Sequence, residues 1–161
     1  MQVRISYFYQ IRNFKKNMIP MSTAMSDPDW YHDWQGNDHT FIDRRGILNG
    51  LRLRPIIVQE HNGGVSCPCE HRDWTRCPLA KSYQEHLEQI DFDKMMKGIS
   101  DFCEMYAKQE NLKEEPIAVL IVYEAPNNPC SERGALIDYF QRHGVDCKEL
   151  EYPIQKPDLK F

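Results

Sequence analysis

The chain has no apolar run approaching the length that spans a bilayer. Its N-terminus also lacks the uninterrupted apolar stretch of a secretory signal, because Arg4, Gln10, Arg12 and Asn13 break it. These absences argue against a membrane partner and lead to the expectation of a cytoplasmic protein. An excess of positive charge is missing too. Twenty Lys and Arg stand against 24 Asp and Glu, a net charge of -4, so the whole molecule offers no broad attraction to a phosphate backbone and duplex nucleic acid is not an expected partner. No complete catalytic signature is present. In a cytoplasmic setting the six cysteines read as thiols or metal ligands rather than disulfides.

What is present is globular composition, 41% hydrophobic and 27% charged. A chain of 161 residues suits one domain over 1–161 with a single core, burying about two-thirds of the surface its unfolded form exposes. Self-association into a homo-oligomer stays open.

Gln2 to Phe8 alternates Val3, Ile5 and Tyr7 against Arg4, Ser6 and Phe8, as a strand does when one face is the better buried. Ile19 to Met25 reads as a second strand, after a polar, basic connection over Asn13 to Asn17. Arg4, Arg12, Lys15 and Lys16 in this region read as a solvated surface or as a local positive patch near a small anion. Ser26 to Gly50 has no sustained period and reads as a long ordered loop around Trp30, Tyr31, Trp34 and Phe41. Leu53 to Gln59 is expected as a short strand, with Pro55 putting it at an edge or a strand start.

Helices are expected over Pro78 to Ile90 and from an Asp91 cap to about Gln109. Met95, Ile99, Phe102 and Tyr106 fall on one face of the second, and Cys103 beside them reads as packing. Ile117 to Tyr123 is continuously apolar, the pattern of a parallel strand covered on both faces. Asn128 and Pro129 resemble an N-cap and first helical position, Gly144 stops that helix, and Val145 to Tyr152 supplies the next strand. The sum is an α/β fold: a compact three-layer domain with a mostly parallel sheet and a C-terminal βαβ unit.

Two clusters carry the chemically interesting side chains. The first runs from Glu124 to Arg133, where a buried strand ends and a helix starts, the edge at which open α/β sheets bind ligands. Free N–H groups and the helix dipole there favour an anion, with Ser131 as a donor and Arg133 as a clamp for phosphate or carboxylate. The same field would lower the pKa of Cys130 and make it a nucleophile in hydrolysis or group transfer. The opposing reading has Cys130 filling a small buried space while Arg133 pairs with Glu124 or Glu132. The second cluster, Cys67, Cys69, His71 and Cys77 in the cysteine-rich loop 61–78, has the ligand types and number of a tetrahedral zinc site, with His61 as a substitute for His71. Its spacing matches no common finger, and free thiols or a zinc-stabilised interaction module are the alternatives. His32, Asp33, Asp38 and His39 offer a third set for a divalent ion or acid–base work, which loop polarity explains equally well.

Ile5-Ser6-Tyr7-Phe8, Pro28-Asp29-Trp30-Tyr31, and Tyr123-Glu124 with Cys130 and Arg133 give the chain a likeness: it resembles the domain of unknown function 488 family, particularly its variants in phages and gut-type Firmicutes. Members of that family carry a glutamate after the last buried strand and then cysteine, histidine and arginine in close succession. Here Ser131-Glu132 stand between Cys130 and Arg133, which removes a histidine that would serve as base or ligand. The resemblance implies a compact α/β fold with a small-molecule pocket and, from its phage-like side, a role in binding or cleaving a nucleotide-derived signal of host defence. The expected site joins Tyr7, Ser22, Trp30 and Glu124, lining the ligand, to Cys130, Ser131 and Arg133, holding its anion. Aromatics such as Tyr7, Trp30 and Tyr31 would stack on a base.

Overall fold

The computed structural model describes residues 1–31, 49–54, 57, 73–128 and 130–154. Its frame is a four-stranded, all-parallel sheet of β1 (Gln2–Tyr7), β2 (Met18–Ser22), β3 (Ile117–Val122) and β4 (Asp146–Glu149) in the order β2-β3-β1-β4. Three helices accompany it: α1 (Pro78–Leu87), α2 (Phe92–Gln109) and α3 (Arg133–Arg142). None of the described helices is long and apolar enough to cross a membrane.

The period of two in the strands sorts the core into two sides. Val3 and Ile5 of β1, Ile19 and Met21 of β2, and Ala118, Leu120 and Val122 of β3 pack with all three helices. The other face of β3, Val119 and Ile121, packs under Phe8 and Ile11 from a 3-10 segment (Phe8–Asn13), under Phe14 just after it, and under Leu150 and Ile154. Three layers result, with one outer layer built of short irregular pieces in place of α-helices. Because both faces of β3 are covered, Ala118 through Val122 are all buried, as its unbroken apolar run requires.

Local chemistry sets the helix ends. Asp91 caps α2 by accepting from the Lys94 N–H. Gly144, at φ +80, lets α3 close with a Schellman pair, its own N–H donating to Gln141 and that of Val145 to Phe140. Cys103 is buried on the apolar stripe of α2, and burial pushes its thiol up to about 12.

Several boundaries differ from the sequence pattern. β1 stops at Tyr7 and β2 at Ser22, because Phe8 and Ala24 turn into the second core. Of the strand expected over 53–59 only 53, 54 and 57 are described, and the Ile57 N–H closes a turn on the Arg54 carbonyl. The largest difference is at α3, which starts at Arg133, five residues after the expected cap at Asn128.

That late start follows from local bonds. Asn128 N–H donates to the Ala125 carbonyl, closing a turn. Asn128 Oδ1 accepts from the Cys130 N–H at 2.9 Å, and Ser131 Oγ accepts from the Arg133 N–H at 3.1 Å. Side chains of this type satisfy the backbone in turn conformations and so hold off the helix.

Candidate functional site at the carboxyl edge of the sheet

The connections leave the two inner strands in opposite directions. From β1 the chain crosses β3 on the 3-10 face to reach β2, and from β3 it crosses β1 through α3 to reach β4. The carboxyl ends of β1 and β3 therefore border a topological switch point, the crevice where open parallel sheets accept ligands. Tyr7, Glu124 and Arg133 meet there.

Arg133 is 7% exposed and its donors are in use. Nε donates to Glu149 Oε2 at 2.6 Å, while the two terminal nitrogens donate to the carbonyls of Ala125 (3.1 Å) and Glu124 (2.7 Å). The guanidinium thus fastens the end of β3 to the end of β4. Glu149 continues the chain of bonds by accepting from Tyr152 Oη (2.6 Å), which lies 2.8 Å from Ser6 Oγ. Tyr7 closes it from above, its ring edge-on to Tyr152 at 5.7 Å and 6.0 Å from the Arg133 guanidinium. Burial, with Glu149 accepting from the hydroxyl, raises the Tyr152 pKa.

A second buried group lies on the β2 side. Glu132 is 1% exposed. Its Oε1 is 2.9 Å from Thr23 Oγ, which is also 3.0 Å from the Ile121 carbonyl, and its Oε2 has no hydrogen-bond partner. Burial, reinforced by the nearby negative charge of Glu124, pushes the Glu132 pKa up to about 8. Carboxyl groups displaced this far concentrate at functional sites.

Beside the junction opens a cavity of about 480 Å³, bordered by Trp74, Asn127, Asn128, Ser131, Ile137 and Gln141. Its floor is tight: a Cβ on Gly134 would lie 2.3 Å from Trp74 Cγ, so only glycine lets the indole settle on α3. Asp138, also on the cavity wall, is paired with Arg142 at 2.7 Å.

The structure brings Tyr7, Glu124, Cys130, Ser131 and Arg133 into one region and leaves Ser22 and Trp30 apart from it. Ser22 is buried, its Oγ accepting from the Ala24 N–H. Trp30 is 47% exposed and stands edge-on to Phe8, on the 3-10 face. Cys130 is half-buried against the helix-side core, the environment of a packing thiol. Of the expected zinc ligands, Cys67, Cys69 and His71 lie outside the described residues, as do His61 and the set His32, Asp33, Asp38 and His39. Cys77 is fully buried at the start of α1, in the core. Among the described residues, no three His, Cys, Asp or Glu side chains converge in a group able to hold a metal ion.

Sequence reasoning passed over Thr23, Glu149, Tyr152 and Ser6, and treated Glu132 only as a partner for Arg133. The sole signal for Glu132 was its place inside the junction motif. No family model matches the chain, and neither a curated protein nor a solved structure does.

Proposed function

We propose that the protein binds a small, planar, nucleotide-like molecule in the cavity beside the 124–133 junction. The observation that carries this reading is the position of that cavity. It opens at the carboxyl edge of an all-parallel sheet, next to the switch point, with buried ionisable groups directly behind it. Its walls supply an indole face for stacking and the amide groups of Asn127, Asn128 and Gln141 for hydrogen bonding. This mixture suits a base or nucleoside.

The way the anion is held changes from what the motif suggested. The N–H groups of Cys130 and Arg133 already donate to Asn128 and Ser131, and the Arg133 guanidinium to Glu149 and two carbonyls. Arg133 then supports the pocket wall from inside, and the ligand's hydrogen-bonding, ring-bearing end is the part recognised. The kinship with the domain of unknown function 488 family remains part of this proposal, and a pocket at this edge agrees with it.

Titration calorimetry with adenosine, guanosine and their monophosphates tests the reading. Ile137→Trp fills the cavity from its half-buried wall and is expected to remove binding seen with the natural chain while leaving the thermal midpoint within a few degrees. Binding that survives this substitution unchanged would place the ligand elsewhere.

A further inference from the structure

The opposite edge of the sheet holds positive charge that the junction does not use. A cavity of about 380 Å³ lies between the turn that leads into β2 and the turn that follows α2, and Lys15, Lys16 and Lys113 line it with Glu114 as the one acid. Among the described residues none of these three ammonium groups makes a hydrogen bond or ion pair. Lys15 also borders a neighbouring cavity of about 540 Å³ that contains Arg4 and Lys148. There Arg4 is held by Asp146 at 3.2 Å and Lys148 faces Glu151 across the lining, and Glu115 lies beyond Glu114, so the unbalanced positive charge is that of Lys15, Lys16 and Lys113. Unneutralised like charges that converge on one concavity repel one another, and an anion removes that repulsion.

A second observation in the same place is independent of charge. Asn17 lines the cavity and is 8% exposed. Its Nδ2 donates to the Glu115 carbonyl at 2.8 Å and its own carbonyl accepts from the Ile117 N–H at 2.8 Å, which fixes the side chain between the two turns. Its Oδ1 is buried without a partner. Turning the amide over would sacrifice the bond to Glu115, so the orphan is an acceptor. A buried acceptor left unmet lowers stability, a loss that a ligand's N–H or O–H would offset. The negative end of α2 accounts for a nearby cation, but Lys108 in its last turn already fills that role.

We propose that this amino-edge pocket binds a small organic phosphate that also carries a hydrogen-bond donor, the lysines taking the phosphates and Asn17 Oδ1 the donor. A nucleotide with an exocyclic amino group has this chemistry. The site is separate from the junction cavity and does not depend on it.

Calorimetry at low salt with ATP and with inorganic tripolyphosphate tests the proposal. Both should bind, ATP more tightly because tripolyphosphate brings no N–H group. Lys16→Glu with Lys113→Glu should weaken both by at least about tenfold, and because both lysines are exposed and unpaired and their mutual repulsion is relieved, the thermal midpoint of that variant should be no lower than that of the natural chain. Ile137→Trp, at the other edge, should change tripolyphosphate binding not at all. Absence of binding by both anions, or equal affinity in the double variant, would overturn the site. Equal affinity for ATP and tripolyphosphate would overturn the role given to Asn17.

Discussion

A threonine hydroxyl has one hydrogen, and at Thr23 two oxygens compete for it. The Thr23 hydroxyl donates toward both the Ile121 carbonyl at 3.0 Å and Glu132 Oε1 at 2.9 Å, so Glu132 receives only a shared hydrogen. Burial, with Glu132 Oε2 left without a partner, holds its pKa at about 8, so the carboxyl keeps its proton at pH 7. The groups around it act in opposite senses, with burial and Glu124 holding the proton on, and Thr23 and Arg133 favouring its loss. The consequence for stability has a definite sign. The unfolded chain releases this proton near pH 4.5 while the folded chain keeps it to about pH 8, so Glu132 is most favourable below pH 4.5. Its contribution is then lost as pH rises toward 8, by roughly 3 kcal/mol at pH 7. Glu132→Gln, which keeps the shape and can donate to Thr23, should flatten that slope and melt higher than the natural chain above about pH 7. Melting curves from pH 5 to 9 decide it, and parallel profiles for the two proteins would show that Glu132 is not the group responsible.

At the scale of elements, the β3–α3 junction is held by one arginine. Removing its side chain leaves Glu149 Oε2 and the carbonyls of Glu124 and Ala125 without their donor. A fully buried pair broken this way costs about 3–5 kcal/mol, and since the Glu149 side chain retains 22% exposure, Arg133→Ala should cost about 2–3 kcal/mol in denaturant unfolding. Arg133→Ala with Glu149→Gln should cost less than the two single changes summed, and simple additivity would show that the two side chains are not coupled. Gly134→Ala tests the packing of the same helix, where the new Cβ must displace the Trp74 indole. Overpacking of this kind costs about 1–3 kcal/mol, and indole fluorescence should shift with it. The run Ile117 to Val122 and the Gly144 stop were legible in the sequence because each reflects a single local cause, burial on both faces in one case and positive φ in the other. The start of α3 was not, because Asn128 and Ser131 are capping residues that here serve turns. Glu149 and Tyr152 were hidden for a different reason: Glu149 meets Arg133 only when α3 packs back beside β4, and Tyr152 meets Ser6, 146 residues away, only through the parallel register of β1 with β4.

At the scale of the whole molecule, the parallel sheet has two outer strands, β2 and β4, whose outward backbone groups could pair with another strand. Exposed edge backbone is a template for another strand, and among the described residues a side chain blunts each edge. On β2, Tyr31 Oη accepts from the Ser22 N–H and donates to the Pro20 carbonyl, both at 3.1 Å, while Pro20 itself has no N–H to leave unmet. On β4, Gln141 Nε2 donates to the Cys147 carbonyl at 2.9 Å. The phenol is 1% exposed, so Tyr31→Phe keeps the ring packing against Phe8 and removes only the oxygen that serves both backbone groups. Two buried groups without partners should lower stability by about 1–3 kcal/mol. The change should also make β2 receptive to a second strand, so that the variant associates at lower concentration than the natural chain in sedimentation. A variant that is destabilised but sediments as the natural chain does would mean that edge protection comes from elsewhere in the fold. An unchanged melting temperature would mean that water replaces the phenol at no cost.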